Sequence, residues 1–234
     1  MANIGTMDFY IGVPSLPRKE FEEYSTKLFD EWEAYVGSNL ELQDYSLVLE
    51  VEEGSIKAKG KIFATLGIIY IGIGQYGSFI SGLETIQSQI RSVGDYLGTQ
   101  ASSPFESSLA KPRLRKRGES LTRLQNLFTK VQHGDITVDM AMKETEIIFG
   151  SELDDVPEFI NDLKDSLERT PLLPKQMPLT LVDSDGEEIM PESSTKRDPI
   201  PRKPREPAPI LDQYRVEFWR ESKKSKRNIK IIIL

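Results

Sequence analysis

The chain has 234 residues, which suffices for one ordinary domain or for two small domains joined by linkers. Hydrophobic residues make up 38% and charged residues 29%, which excludes both a wholly disordered chain and one richly packed core. The absence of cysteine and the single histidine exclude disulfides, thiol catalysis and metal sites built from several histidines. We therefore expect a protein that is not an enzyme and that binds no cofactor or metal.

Charge is strongly segregated along the chain. Residues 1–60 contain 12 acidic and 5 basic residues, residues 101–130 contain 2 and 7, and residues 131–175 contain 11 and 4. Blocks as distinct as these indicate separate modules. The formal net charge of -7 argues against a protein that wraps nucleic acid, because phosphate binding requires a basic surface.

Residues 1–60 have the pattern of a small acidic α+β unit. A β-rich run covers residues 8–13, and residues 45–53 alternate in the manner of a half-buried strand. Between them, from Lys19 to Tyr35, apolar residues recur at spacings of three and four, which predicts an amphipathic helix. A unit of this size is marginally stable alone, so we expect a partner to stabilise it.

Residues 62–83 are 22 consecutive uncharged residues between Lys61 and Glu84. This length matches the ~20 apolar residues of a membrane span, so we predict a single transmembrane helix. Lysines at 57, 59 and 61, against one arginine soon after the run, favour a cytoplasmic amino terminus in an inner or plasma membrane. Two alternatives remain open, namely a core helix of a soluble protein and two isoleucine-rich strands bent at glycines.

Glycines recur every five residues in this apolar run, with one addition. Small residues let helix backbones approach closely within lipid, so the pattern predicts a helix face that forms homo-oligomers. The string GIGQYG at 72–77 also matches a dinucleotide-binding fingerprint, but no strand–helix–strand pattern flanks it. The predicted oligomer face consists of Gly67, Gly72, Gly74, Gly77 and Gly82.

A helical pattern continues beyond the uncharged run, so residues 61–98 are predicted to be one long Gly-rich helix that becomes amphipathic. Its apolar residues step by four and three in turn, as in the seam of a coiled coil. This stripe either pairs with a second copy or packs against the amino-terminal unit of the same chain. The seam consists of Phe79, Leu83, Ile86, Ile90, Val93 and Leu97.

Residues 99–118 have the composition of a linker that carries a cluster of bases. The cluster is open to three interpretations, namely a solvated linker, a contact with anionic lipid headgroups, and a contact with nucleic acid. Nucleic acid is the least favoured, because no aromatic residue that could stack on bases is interleaved. The cluster consists of Lys111, Arg113, Arg115, Lys116 and Arg117.

The rest of the chain divides into a helical part and an extended part. Residues 119–170 show three short apolar-periodic segments separated by turn signals, which predicts a helical bundle. Residues 171–213 are rich in proline and are predicted to be a flexible linker. Residues 214–234 are predicted to form terminal strands, the last of which joins a sheet edge in this chain or in a partner; a short surface anchor is the alternative for the last six residues. That last strand contains Ile229, Ile231, Ile232, Ile233 and Leu234.

The predicted fold class is α+β, with a small amino-terminal unit, a Gly-rich transmembrane helix, a three-helix segment and a Pro-rich tail with terminal strands. We expect a membrane-associated, self-associating accessory or effector protein, of the adaptor or pore-forming type, that also contacts an unknown protein partner. One alternative is a cytoplasmic interaction protein with a buried apolar helix. A less favoured alternative is a nucleic-acid regulator that uses the basic cluster at 111–117.

Overall fold

The computed structural model describes residues 1–105, 113–173 and 213–234. These residues form a mixed α+β fold with six α-helices and one antiparallel sheet of six strands. The strands are β1 (Ala2–Tyr10), β2 (Ser46–Glu52), β3 (Lys57–Ala64), β4 (Arg113–Arg117), β5 (Tyr214–Arg220) and β6 (Asn228–Ile233). The helices are α1 (Arg18–Asn39), α2 (Leu66–Gly74), α3 (Phe79–Ser102), α4 (Glu119–Gln132), α5 (Val138–Phe149) and α6 (Pro157–Glu168), with a short 3-10 helix at Gly150–Leu153.

The six strands lie in the order β4-β1-β3-β2-β5-β6, and each neighbouring pair is antiparallel. The three central strands come from the first 64 residues of the chain. Later parts of the chain add β4 at one margin and β5 with β6 at the other. The predicted amino-terminal unit is therefore the centre of a larger sheet that is completed by residues far away in sequence.

Helices α1 and α3 cover one face of the sheet. In β2, Leu47, Leu49 and Val51 point to this face and are fully buried, as the alternating pattern predicted. Gly60 of β3 allows the helices to approach, because a Cβ there would lie 2.9 Å from Leu97 Cδ2. Burial of apolar side chains on this face is the main source of stability of the sheet.

Helix α1 extends further than the sequence predicted but buries the expected side. Phe21, Leu28 and Trp32 are fully or almost fully buried, at the spacings that the apolar pattern indicated. Pro17 precedes the first turn, where a missing backbone N–H costs nothing. The helix packs against α3 and the strands β2 and β5.

The apolar run at 62–83 is not one helix, contrary to the prediction. It is divided among the end of β3, the whole of α2, a turn at 75–78 and the start of α3. Gly77 in the turn has a φ of 79°, which favours glycine. The Ser78 side chain then caps α3 by accepting a hydrogen bond from the Ser81 N–H. Helices α2 and α3 consequently meet at a bend of 111°.

One side of α2 faces the protein interior, with Leu66, Ile69, Gly72 and Ile73 buried, whereas Ile71 on the other side is 47% exposed. Among the described residues, no single helix combines the length and the apolar character needed to cross a membrane. The bent pair α2 and α3 meets both criteria only when the two helices are counted together.

The apolar stripe of α3 packs within the chain. Its residues lie against the sheet, as shown at Ile90, whose Cγ2 would be 2.5 Å from a Cβ at Gly5. Of the two interpretations of the stripe, the structure therefore has the intrachain one. Buried along the stripe are Phe79, Leu83, Ile86, Ile90, Val93 and Leu97.

The glycines of the predicted oligomer face do not share one helix face, because they are distributed over α2, the turn and α3. A Cβ at Gly82 would lie 2.3 Å from the Ile73 carbonyl oxygen, so this glycine lets α2 and α3 touch. A Cβ at Gly72 would lie 2.7 Å from Leu42 Cδ2. The two closest approaches are thus contacts inside the chain. A Cβ at Gly67 would lie 3.7 Å from Val156 Cγ2, an ordinary contact, and a Cβ at Gly74 would have no atom within 4 Å.

The segment 99–118 contains the end of α3 and the strand β4, where the sequence had predicted a linker. The strand forms because 113–117 alternate in period two, with Leu114 turned to the covered face beside Gly98. Helices α4, α5 and α6 follow in the region predicted to be a helical bundle. Lys111 lies outside the described residues, as does most of the predicted Pro-rich linker.

The terminal strands were predicted correctly. β5 pairs with β2, and β6 pairs with β5, so the carboxyl-terminal residues join the sheet of the amino-terminal unit. The end of β5 and the turn after it are held to α1 by ion pairs of Arg220 with Glu33 and of Arg227 with Asp30. These contacts connect the last residues of the chain to one of its first helices.

Candidate functional site

The face of the sheet opposite α1 and α3 is densely charged, and we call it the charged face. Strand register places alternate residues of all six strands on it. Bases outnumber acids there by two to one, although the whole chain is acidic. The bases are Lys57, Lys59, Lys61, Arg113, Arg115, Arg117, Arg215 and Lys230, and the acids are Asp8, Glu50, Glu52 and Glu217.

Ion pairs between neighbouring strands neutralise most of these acids. Arg117 contacts Asp8 at 2.5 Å, and Lys61 contacts Glu50 at 3.0 Å. Arg215 binds Glu52 and lies 3.9 Å from Glu217. Three bases therefore engage all four acids, with Arg215 shared between Glu52 and Glu217.

Five bases on the charged face are left over, of which four lie near one another on β3 and β4 and the fifth, Lys230, lies on β6. Within the described part of the chain, Arg113, Arg115, Lys57 and Lys59 make no ion pair. Both arginines and Lys57 are exposed, and Lys59 is half-buried. Four bases without an ion pair, on two strands separated only by β1, create a local positive potential that attracts anions.

These four bases border a depression of about 1100 Å³, which we call the basic groove. Tyr10 lies between Arg113 and Lys57 in the strand register and is 39% exposed. Since neighbouring strands are about 4.8 Å apart, the two basic rows are roughly 10 Å apart. The groove therefore has a basic row on each side, with Tyr10 and the ion-paired Asp8 between the rows, and Glu50 and Glu52 also line it.

A second exposed feature lies at the other margin of the sheet, along β6. Ile231 is 40% exposed and Ile233 is 66% exposed, although both lie on the face that α1 and α3 cover elsewhere. Ile229 and Leu234 are also exposed. An apolar outermost strand of this kind is a template for pairing with another strand.

The backbone of β6 is oriented for such pairing. The Leu234 N–H donates a hydrogen bond to the Gln213 carbonyl at 2.8 Å. Because antiparallel hydrogen bonding alternates from residue to residue, the N–H groups of Ile229, Ile231 and Ile233 point away from β5. We call this row of outward backbone groups and isoleucines the β6 edge.

Two tyrosines with a raised pKa connect helices rather than form a reactive site. The hydrogen bond from Tyr70 to Asp162, at 2.7 Å, raises the pKa of Tyr70 to about 12. Burial raises the pKa of Tyr24, whose hydroxyl donates to the Ala101 carbonyl at 2.8 Å. Both hydroxyls stay protonated at neutral pH and act as donors. In the described residues, no group of three or more His, Asp and Glu side chains could hold a metal ion.

The structure separates the residues of the predicted basic cluster. Arg113, Arg115 and Arg117 lie on the charged face, but Lys116 points to the opposite face and contacts Asp95 at 2.6 Å. Lys57 and Lys59 were not assigned to this site from sequence, because they belong to a strand more than fifty residues earlier. The alternation of lysines at 57, 59 and 61 was the signal that could have found them.

The other predicted site residues lie elsewhere. Gly72, Gly82 and the apolar seam lie in the interior of the α2–α3 region, whereas Gly74 and Gly77 are exposed. The terminal isoleucines form the β6 edge. The sheet thus carries two separate candidate surfaces, the basic groove near one margin and the β6 edge at the other. Comparison of the chain with protein-family models, with curated proteins and with solved structures found no match.

Proposed function

We propose that the protein acts through protein contacts rather than catalysis, and that it self-associates by pairing the β6 edges of two copies. The single observation that supports this proposal most is the outermost strand β6, with its exposed isoleucines and outward backbone groups. Main-chain hydrogen bonds supply affinity in strand addition, and side-chain contacts supply specificity. The predicted buried helix is present as α2, which supports the alternative of an interaction protein with an apolar core.

The sequence of β6 suits antiparallel pairing about a two-fold axis at Ile231. In that register Ile231 pairs with its own copy and Ile229 pairs with Ile233 of the second copy, so the exposed isoleucines cover one another. Lys230 then lies opposite Ile232 rather than opposite another lysine. Like charges are therefore separated, and two six-stranded sheets become one continuous sheet.

Sedimentation equilibrium of the full chain over a concentration series tests this proposal. We expect a monomer–dimer equilibrium that Ile231→Lys abolishes, because two like charges would then face each other at the axis. Ile231→Pro should act similarly, because it removes an outward N–H and spares the hydrogen bonds to β5.

Ile147→Lys is the matched control, because Ile147 is 74% exposed on α5, away from β6. It makes the same chemical change and should leave the dimer intact. A wild-type chain that stays monomeric at every concentration, or a dimer that both lysine variants weaken equally, would refute the proposed contact.

Membrane association is a separate expectation from the sequence. Spanning a bilayer would require α2 and α3 to straighten their bend and to exchange their contacts in the core for lipid. Flotation of the full chain with anionic vesicles measures membrane association directly. Flotation that Ile231→Lys leaves unchanged would show that any membrane contact is independent of the β6 edge.

A further inference from the structure

We propose that the basic groove is a binding site for single-stranded nucleic acid. The site is built from Arg113 and Arg115 on β4, Lys57 and Lys59 on β3, and Tyr10 between them. It lies at the opposite margin of the sheet from the β6 edge, so it does not depend on self-association.

The charge balance of the face supports an anionic ligand. Asp8, Glu50 and Glu52 line the groove, but each is engaged by a base that lies outside it. The four bases of the groove therefore carry their charge without an acidic partner among the described residues. A ligand with several negative charges compensates them and releases counterions from both surfaces, which favours binding at low salt.

The spacing of the bases points to a chain of anions rather than one compact ion. Residues on the same face of a strand recur every ~6.8 Å, so Arg113 and Arg115 form one short row, and Lys57 and Lys59 form another. The rows run side by side along β4 and β3. An extended phosphate backbone that follows the groove meets one base after another.

Tyr10 distinguishes nucleic acid from other polyanions. Its ring is partly exposed between the two rows, at the position where bases of a strand held by these rows would lie. Stacking of a base on an aromatic ring strengthens binding without requiring a particular sequence. An acidic peptide or a lipid headgroup offers no base to stack, and a duplex keeps its bases inside its own stack.

The sequence alone disfavoured nucleic acid because no aromatic residue is interleaved with the basic cluster. Folding supplies one, since β4 pairs with β1 and brings Tyr10 beside Arg113. The net charge of -7 opposes a polyanion at long range, so we expect modest affinity with strong dependence on salt.

Fluorescence anisotropy of the full chain with a labelled oligouridine of about ten nucleotides tests the proposal. We expect binding at about 50 mM salt that is largely lost at about 200 mM. The double variant Arg113→Gln, Arg115→Gln should bind at least tenfold more weakly. Its plot of log affinity against log salt should be shallower by about 1.4, since each lost phosphate contact on a single strand contributes about 0.7.

The matched control is Lys19→Gln with Lys27→Gln, which removes the same charge from the exposed surface of α1. These lysines make only long contacts of 3.9 Å and 3.8 Å with Glu23 and Glu31. We expect this variant to bind the oligonucleotide as the wild type does. An equal loss in both double variants would mean that net charge alone attracts the probe, and would overturn the site.

Tyr10→Leu and Tyr10→Phe separate stacking from charge. Leucine should weaken binding about tenfold without changing the salt slope, and phenylalanine should preserve it, because the ring is retained. The proposal is overturned if the oligonucleotide does not bind at low salt or if Tyr10→Leu binds normally. It is also overturned if polyglutamate or phosphatidylserine vesicles bind as tightly with the same loss in the arginine variant, which would assign the groove to an acidic protein or a lipid surface.

Discussion

Two isoleucine-rich segments of this chain have opposite environments. In α2, Ile69 is fully buried and Ile73 is 2% exposed, with only Ile71 of its isoleucines open to solvent. In β6, by contrast, Ile229, Ile231 and Ile233 are all at least 40% exposed. Helix α2 lies against α3 and α6, and Tyr70 on it contacts the ring of Phe159. β6 lies at the sheet margin, beyond the cover of α1 and α3.

The difference shows that an apolar run specifies burial only together with its place in the topology. Helix α2 contains no charged residue, and in β6 the alternation of Asn228 and Lys230 with isoleucine indicates a strand with one polar face but not whether its apolar face is covered. One is enclosed because elements from three parts of the chain converge on it. The other is left at an edge, where the next strand has to come from outside the described chain.

The largest expected loss of stability follows from truncating the buried isoleucine of α2. Ile69→Ala should lower the free energy of unfolding by about 2 to 5 kcal/mol, because it deletes buried methyl groups and leaves a cavity. Ile231→Ala, at the exposed edge, should change it by about 0.5 kcal/mol or less. Urea unfolding at a protein concentration below the association range measures both variants.

Equal destabilisation by the two alanine substitutions would contradict the assignment of α2 to the core and of β6 to an open edge. A change in the urea slope for one variant alone would indicate altered compactness rather than a lost contact. The substitutions remove the same atoms from a buried and from an exposed site; alanine is favoured in the helix and disfavoured in the strand, so a larger cost at Ile69 would arise from burial.

The glycines at the α2–α3 bend give the second largest expected effect. Gly82→Ala should cost about 1 to 3 kcal/mol, since its Cβ would meet the Ile73 carbonyl oxygen and the helices would have to separate. Gly74→Ala is the control, because nothing lies within 4 Å of a Cβ there. It should be neutral or stabilising by about 0.5 kcal/mol.

If the glycines served an interface between copies instead, Gly82→Ala would reduce the dimer fraction and leave the unfolding free energy of the monomer unchanged. Thermal unfolding and sedimentation of the same samples distinguish these results. The structure predicts the opposite pattern, with a less stable monomer and an intact β6 contact.

Elements with a clear period could be predicted from the sequence. The stripe from Phe79 to Leu97 has the period of a helix, and the alternation in β2 has that of a strand, so both were assigned correctly. The bend between α2 and α3 was missed because every residue near it is uncharged. Only Gly77 and Ser78 mark it locally, one as a turn residue and the other as a cap.

The basic groove could not be predicted because its parts have no local relation. Tyr10, Lys59 and Arg113 come from three segments that meet only when β1 lies between β3 and β4. The sequence showed the basic cluster as a run, in which Lys116 counts equally with its neighbours. Strand alternation removes Lys116 from the charged face, and pairing adds the lysines of β3.

A side chain from another element satisfies the beginning of α2, and this contact gives a smaller effect. Glu152 accepts a hydrogen bond from the Leu66 N–H at 2.9 Å, whereas the Thr65 side chain provides no cap. The other oxygen of Glu152 contacts the Met1 ammonium at 2.7 Å. Glu152→Ala should cost about 1 kcal/mol and Glu152→Gln less, because glutamine loses this partly exposed ion pair but retains an acceptor for the Leu66 N–H. Glu146→Ala on the exposed side of α5 is the control and should be neutral in the same urea measurement.

The smallest expected effect tests how α2 is held to α6, through the hydrogen bond from Tyr70 to Asp162. This bond raises the pKa of Tyr70 to about 12, above its ordinary value of 10.0. Between these pH values the folded chain keeps a proton that the unfolded chain has lost, so the contribution of the bond is complete below pH 10 and disappears as pH rises towards 12. Tyr70→Phe should therefore cost about 0.5 kcal/mol at neutral pH, and the gap from the wild type should close at alkaline pH. A gap that stays constant from neutral to strongly alkaline pH would mean that the ring, and not the hydroxyl, holds α2 in place.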